Sequence, residues 1–257
     1  MTNSIAGKTF ALFDNPTGVK LIAEIEKTGA KLLKFPIIET EKIELSETSI
    51  ELIKNLKNFN WIIFPDVLAV DYFLAGLEEN GVDFFELDEV RVCALGEVVS
   101  DRLRFVQLHA DVIPNLIGAE NIVSSLKNYT AEDELKKMKF LIVKEISLDN
   151  AIRNELIKSR AEVTELPVYR IKPAVKNETA KLKTLLITLF RGGAIDEFIF
   201  SAPTDFIALK NTFNEELFAE LFSEIKVSAV DGLTLQIVRE HDLKRADLFR
   251  LEKIDTV

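Results

Sequence analysis

Apolar runs with strand character alternate with helix-spaced stretches along almost the whole chain. The run Lys8–Asp14 precedes a helical stretch, Gly18–Ala30, and Ala30–Ile38 follows as the next strand. The same alternation predicts strands at Trp61–Pro65, Val90–Gly96, Lys139–Glu145 and Ala161–Arg170, with helical segments such as Val70–Asn80 and Leu148–Ser159 between them. Strands at Glu197–Pro203, Lys226–Gly232 and Ala246–Glu252 complete the pattern. Strand, helix, strand in this order predicts an α/β protein with parallel sheets and helices on their faces.

Two stretches look like copies of one another. WIIFPDVLAVDYF is followed by VRVCALGE, and EFIFSAPTDFIAL is followed by KVSAVDGL at nearly the same spacing. A repeated strand-turn-helix-strand unit predicts two similar lobes. Each copy follows a proline-marked extended run, Lys34–Ile43 in the first case and Leu166–Pro173 in the second. Proline fixes its own φ and pushes the preceding residue towards extended backbone, so these runs read as paired crossings between the lobes. Residues 1–37 and 172–257 then form one lobe and residues 38–171 the other, the N- and C-terminal segments sharing a lobe.

Composition narrows the function. A chain of 257 residues, 47% hydrophobic and 29% charged, matches a globular protein of two ordinary domains. No apolar run approaches the roughly 20 residues of a membrane span, so no membrane helix is expected. Met1–Lys8 lacks a basic region followed by an apolar stretch, which points to the cytoplasm. One cysteine, Cys93, and two histidines, His109 and His241, predict neither a disulfide nor a metal site. The net charge of −10 argues against nucleic acid as a partner. A monomer is expected.

Ligands of open α/β sheets bind outside the strand carboxyl ends, where helix N-termini present unpaired N–H groups. Those ends are Phe13–Thr17, Phe64–Leu68, Gly96–Val98, Lys144–Ser147, Ser201–Thr204 and Gly232–Thr234. The candidate substrate-binding residues are therefore Asp66, Val67, Gly96, Lys144, Ser147, Ser201, Ala202, Thr204, Gly232 and Thr234. Asp66, Ser201 and Thr204 also read as ordinary N-caps. The RGGA of Arg191–Ala194 matches no dinucleotide fingerprint and reads as a turn before the strand at Phe198. Cys93, in an apolar strand, reads as a buried inert thiol.

Taken together, the early strand ending in a proline, the WIIF strand, VCALGE, ELPVYR, IDEFIFSAPT and SAVDGLT resemble the uroporphyrinogen-III synthase family from about Lys8 to Glu240. The resemblance implies two flavodoxin-like lobes joined by a two-stranded ladder. It also implies an activity, a lyase reaction: the linear tetrapyrrole hydroxymethylbilane cyclises between the lobes, with inversion of its last ring and loss of water and without a cofactor. Tyr169 matches the crossing tyrosine, implied to assist departure of the substrate hydroxyl; a phenol stays protonated at neutral pH and can donate to a leaving oxygen. The other reading of Tyr169 is a hydroxyl that anchors the crossing to a lobe.

The chain also departs from the family pattern. Pro65 and Asp66 stand where Thr-Ser is usual, Asn15 where an arginine precedes Pro16, Asp231 and Leu233 in place of a glycine and a threonine, and Lys144–Ser147 in place of an arginine-glycine turn. Added acids oppose an anionic substrate. The alternative is therefore a non-catalytic bilobal protein of the same fold that binds a tetrapyrrole or a partner.

Overall fold

In a computed structural model, which describes residues 5, 7–14, 18–35, 40–115, 118–130, 132–148, 150–172, 176–223, 225–241 and 243–250, strands and helices alternate throughout. The order is β1 (Thr9–Phe13), α1 (Val19–Lys27), β2 (Lys31–Phe35), β3 (Thr40–Lys42), α2 (Glu47–Lys54), β4 (Trp61–Phe64), α3 (Val67–Glu79), β5 (Arg91–Ala94), α4 (Glu97–Phe105), α5 (Ala119–Tyr129), β6 (Lys139–Glu145), α6 (Ala151–Lys158) and β7 (Glu162–Ile171). Then follow α7 (Lys176–Arg191), β8 (Glu197–Phe200), α8 (Pro203–Thr212), α9 (Glu215–Ser223), β9 (Lys226–Ala229), α10 (Gly232–Glu240) and β10 (Asp247–Leu248). The predicted strand ends Pro36–Ile38 and Leu251–Glu252 lie outside the described residues, as do Asn15, Pro16 and Thr17.

The chain divides into two units, Met1–Glu39 with Lys172–Val257, and Thr40–Ile171. In the first, the strands lie in the order β10-β9-β8-β1-β2 and all their pairings are parallel. Numbered along the chain within this unit, that is the flavodoxin-like order 2-1-3-4-5 read from the other edge. The second unit has the order β3-β7-β6-β4-β5. Its parallel strands follow the same 2-1-3-4 plan, and the fifth place is taken by β3, which runs antiparallel to β7.

The predicted repeat needs a correction here. By topology β4-α3-β5 corresponds to β1-α1-β2, whereas β8 and β9 correspond to β6 and β7. The look-alike stretches therefore occupy different places in their sheets. Their similarity arises because any parallel strand buried on both faces reads as a continuous apolar run before its helix.

Such burial is what makes these runs strands. Trp61, Ile62, Ile63 and Phe64 are fully buried, as are Phe198, Ile199 and Phe200. In the first unit α1 lays Leu21, Ile22 and Ile25 against Phe10, Leu12 and Ile199. In the same unit an aromatic cluster has Phe198 at its centre and Phe13, Phe35, Phe190 and Phe222 around it. Removing one such ring costs about 3–5 kcal/mol.

The predicted crossing strand runs into the sheet as β7, and its proline shapes it. Lys144 stands opposite Pro167 in the β6–β7 ladder, and the register then slips so that Glu145 pairs with Tyr169. Pro167 has no N–H to give, so a bulge falls beside it. On the other side β3 pairs only beyond the proline, Thr40 with Ile171 and Lys42 with Tyr169.

Candidate active site at the strand carboxyl ends

In a sheet of order 2-1-3-4, the connections leave in opposite directions from strands 1 and 3, and the crevice lies at their carboxyl ends. For the second unit these strands are β4 and β6, which places Asp66 and Glu145–Ser147 at the crevice. For the first unit they are β1 and β8, which end at Asp14 and Ser201.

The second unit gathers a cluster there. Asp66 is the N-cap of α3, and one of its carboxylate oxygens accepts from Ala69 N at 2.7 Å. The other accepts the hydroxyl of Tyr169 at 3.0 Å. Tyr169 exposes none of its surface, and Tyr72 of α3 stacks on it at 5.2 Å between ring centroids. The Tyr72 hydroxyl lies 2.7 Å from that of Thr40 on β3. Glu145, 1% exposed, completes the group by accepting from Ser147 N, from the Ser147 hydroxyl at 3.2 Å and from Ile171 N at 3.3 Å. Val67 follows Asp66 as the first residue of α3 and is buried.

Burial pushes the Asp66 carboxyl up to about 6, with the hydrogen bonds from Ala69, Tyr169 and Leu68 opposing the rise and the charge of Glu145 adding to it. Tyr169 is pushed well above the usual phenol range, first by burial and then by the charge and hydrogen bond of Asp66. The phenol therefore keeps its proton. That proton is engaged by Asp66.

Other predicted residues have separate surroundings. Lys144 is buried, with its ammonium 3.0 Å from both Glu165 and Asn150, and is not part of the Asp66 cluster. Successive strand residues point to opposite faces, so Lys144 and its neighbour Glu145 diverge. Gly96 caps α4 with φ of 100°, a backbone conformation that favours glycine, and no side chain caps that helix. In the first unit Asp205 accepts from Ser201 N, the Ser201 hydroxyl and Ala202 N, holding the start of α8 beside the buried Thr204. Asp231 caps α10, taking Thr234 N at 2.8 Å and the Thr234 hydroxyl at 2.9 Å, with Gly232 between them. Burial raises the Asp231 carboxyl as well.

Thus Asp66 and Asp231 each take a first-turn N–H group of the helix they cap, while Asp205 of α8 takes the N–H groups of Ser201 and Ala202 just before its helix. These acids stand where an external carboxylate would bind. Cys93 is buried in β5, and burial raises its thiol. His109 is exposed and His241 turns its Nδ1 to Ile237 O, closing α10. Arg191–Ala194 ends α7 and turns towards β8. Among the described residues no group of His, Cys, Asp and Glu is placed to hold a metal, and no helix is long and apolar enough to cross a membrane.

Sequence reasoning missed Glu145 and Tyr72. Glu145 reads as the last residue of an apolar strand, and only the bulge brings it beside Tyr169. Tyr72 stands two turns along the helix that Asp66 caps, a spacing that could have paired it with Tyr169 once both elements were placed in one lobe.

The family model for "Uroporphyrinogen-III synthase HemD" matches residues 19–248. A curated protein from Ruminiclostridium josui named "Porphyrin biosynthesis protein HemD" is 21% identical over 187 residues, 70% of this chain and 36% of that protein, so the match spans about a third of its length. A mutant uroporphyrinogen III synthase from Thermus thermophilus is 18% identical, with a TM-score of 0.58 over 96% of this chain and 94% of that one. That likeness establishes the fold. With a family model that matches residues 19–248, across both units, the chain belongs to the uroporphyrinogen-III synthase family.

Proposed function

We propose that the protein is a lyase that closes hydroxymethylbilane to uroporphyrinogen III, inverting the last ring and releasing water. The family match over residues 19–248 carries this reading. The position of Tyr169 near the carboxyl end of β7, bonded to Asp66 at the end of β4, supports it.

In this reading the protein's main contribution is positional: the folded substrate presents its terminal carbon to one pyrrole position while the uninverted closure is suppressed. Tyr169 is the proton donor to the departing hydroxyl. Being fully buried, it meets the substrate only after its neighbours shift. The start of α4 at Gly96, at the carboxyl end of β5 and without a side-chain cap, is a helix terminus open to a substrate carboxylate, with Glu97 in its first turn opposing it. Ser147, exposed beside Glu145, offers a second polar contact.

The test is an assay on freshly made hydroxymethylbilane that separates the type III product from the type I product of uncatalysed closure. Type III product supports the synthase. Tetrapyrrole binding with type I product alone, at the uncatalysed rate, supports a non-catalytic binding protein.

A further inference from the structure

A phenol has one hydrogen to donate. Here the Tyr169 hydrogen is directed at Asp66 Oδ2, 3.0 Å away, while Oδ1 is held by Ala69 N. As long as Asp66 is a carboxylate, the hydrogen that a leaving group needs is already taken. A protonated Asp66 reverses the pair: its own O–H donates to the phenol oxygen, and the Tyr169 hydrogen is free to turn elsewhere.

We infer that Asp66 is a positioning residue which, by its protonation state, decides whether Tyr169 can give a proton to the substrate. This rests on the synthase reading above. In the step itself the phenol O–H breaks and its proton joins the departing hydroxyl as water, while the protonated Asp66 hydrogen-bonds the resulting phenolate. Closure of the new carbon–carbon bond releases one proton from the attacked ring carbon. That proton returns to the phenolate, and Asp66 stays protonated throughout.

The surroundings of Asp66 favour this role. From β6 it faces Glu145, an acid, and from β7 the phenol of Tyr169; its own helix supplies only the N–H groups of Leu68 and Ala69. Cations of the neighbouring elements have acidic partners of their own: Lys144 of β6 pairs with Glu165, Arg102 of α4 with Asp71, and Arg104 with Asp101. Among the described residues, nothing next to the carboxyl holds it ionised through a positive charge. Burial and Glu145 together bring its titration to about 6, within reach of working pH.

Saturated turnover to the type III product is measured from pH 5.5 to 8 for wild type and Asp66→Asn. The amide keeps the shape and donates permanently to the phenol oxygen. Wild-type turnover should fall by up to about tenfold per pH unit above its midpoint, while the variant should show no such limb and should outrun wild type at pH 8 by about tenfold or more. A pH-independent wild type, a variant that keeps the wild-type slope, or a folded but inactive variant would each overturn the inference. The tyrosine Raman doublet of the wild-type protein reads the same exchange without turnover. One tyrosine should pass from donor to acceptor as the pH falls through about 6. Absence of that change overturns the inference even if the variant does not fold. The Raman result also stands if wild type makes no type III product, an outcome that would sink the synthase reading alone.

Discussion

Tyr169 and Asp66 are 103 positions apart in the chain, and the hydroxyl of the first donates to the carboxylate of the second at 3.0 Å inside one unit. The bond ties the end of β7 to the start of α3, which also stack through Tyr169 and Tyr72. Tyr169 is thus an anchor in this structure.

Removing the hydroxyl should therefore be felt in folding. Tyr169→Phe keeps the ring but leaves a buried carboxylate oxygen without its donor, at a cost of about 1–3 kcal/mol. Because that hydrogen bond lowers the Asp66 carboxyl, the variant should also titrate at higher pH than the wild-type value of about 6. Denaturant unfolding and carboxyl carbon NMR read the two effects; unchanged stability together with an unchanged titration would exclude the bond.

Asp66 makes stability depend on pH with an unusual sign for an acid. Its folded pKa, about 6, lies above its unfolded value near 3.8, so the native state binds the proton more tightly. The contribution is complete below about pH 4 and is lost as the pH rises through about 6, some 3 kcal/mol in all. Asp66→Asn should lack this component, and the wild-type-minus-variant difference in unfolding free energy should decline between pH 4 and 7. A difference that stays flat would place the carboxyl in contact with water.

Lys144 and Glu165 form an ion pair at 3.0 Å with side chains only 5% and 24% exposed. Lys144→Met strips a partly buried acid of its nearest cation, although Arg153 remains at 3.7 Å. The expected loss is about 2 kcal/mol, below the cost of breaking a fully buried pair. Adding Glu165→Leu should recover much of it. A single variant as stable as wild type would show that the pair contributes nothing.

Gly96 carries φ of 100° and ψ of 162° at the start of α4. That region is essentially reserved for glycine, and Gly96→Ala should cost about 1–3 kcal/mol. Thermal unfolding checks it. An unperturbed melting temperature would mean that the turn relaxes to ordinary backbone.

The sequence showed the strands that are buried on both faces, because Trp61–Phe64 and Phe198–Phe200 cannot be anything but interior. The extended run Lys34–Ile43 held β3, but its bounds were not legible, because Thr-Glu-Lys has no apolar alternation and is a strand through its pairing with β7 far along the chain. The prolines marked Tyr169 as held in extended backbone, and the acid at the start of α3 was visible as a cap. That these two meet was not visible, because the β6–β7 bulge and the position of α3 over β7 are tertiary facts. Asp231 was likewise read only as a departure from the family, when its carboxylate already takes the Thr234 N–H at the start of α10.

The central claim is tested most directly by giving the purified protein hydroxymethylbilane and quantifying the two isomers of the product. The account predicts type III uroporphyrinogen formed faster than spontaneous closure, without added metal or nucleotide, and a loss of about 100-fold or more in Tyr169→Phe molecules that remain folded. Type I product alone, at the uncatalysed rate and from folded protein, would contradict it.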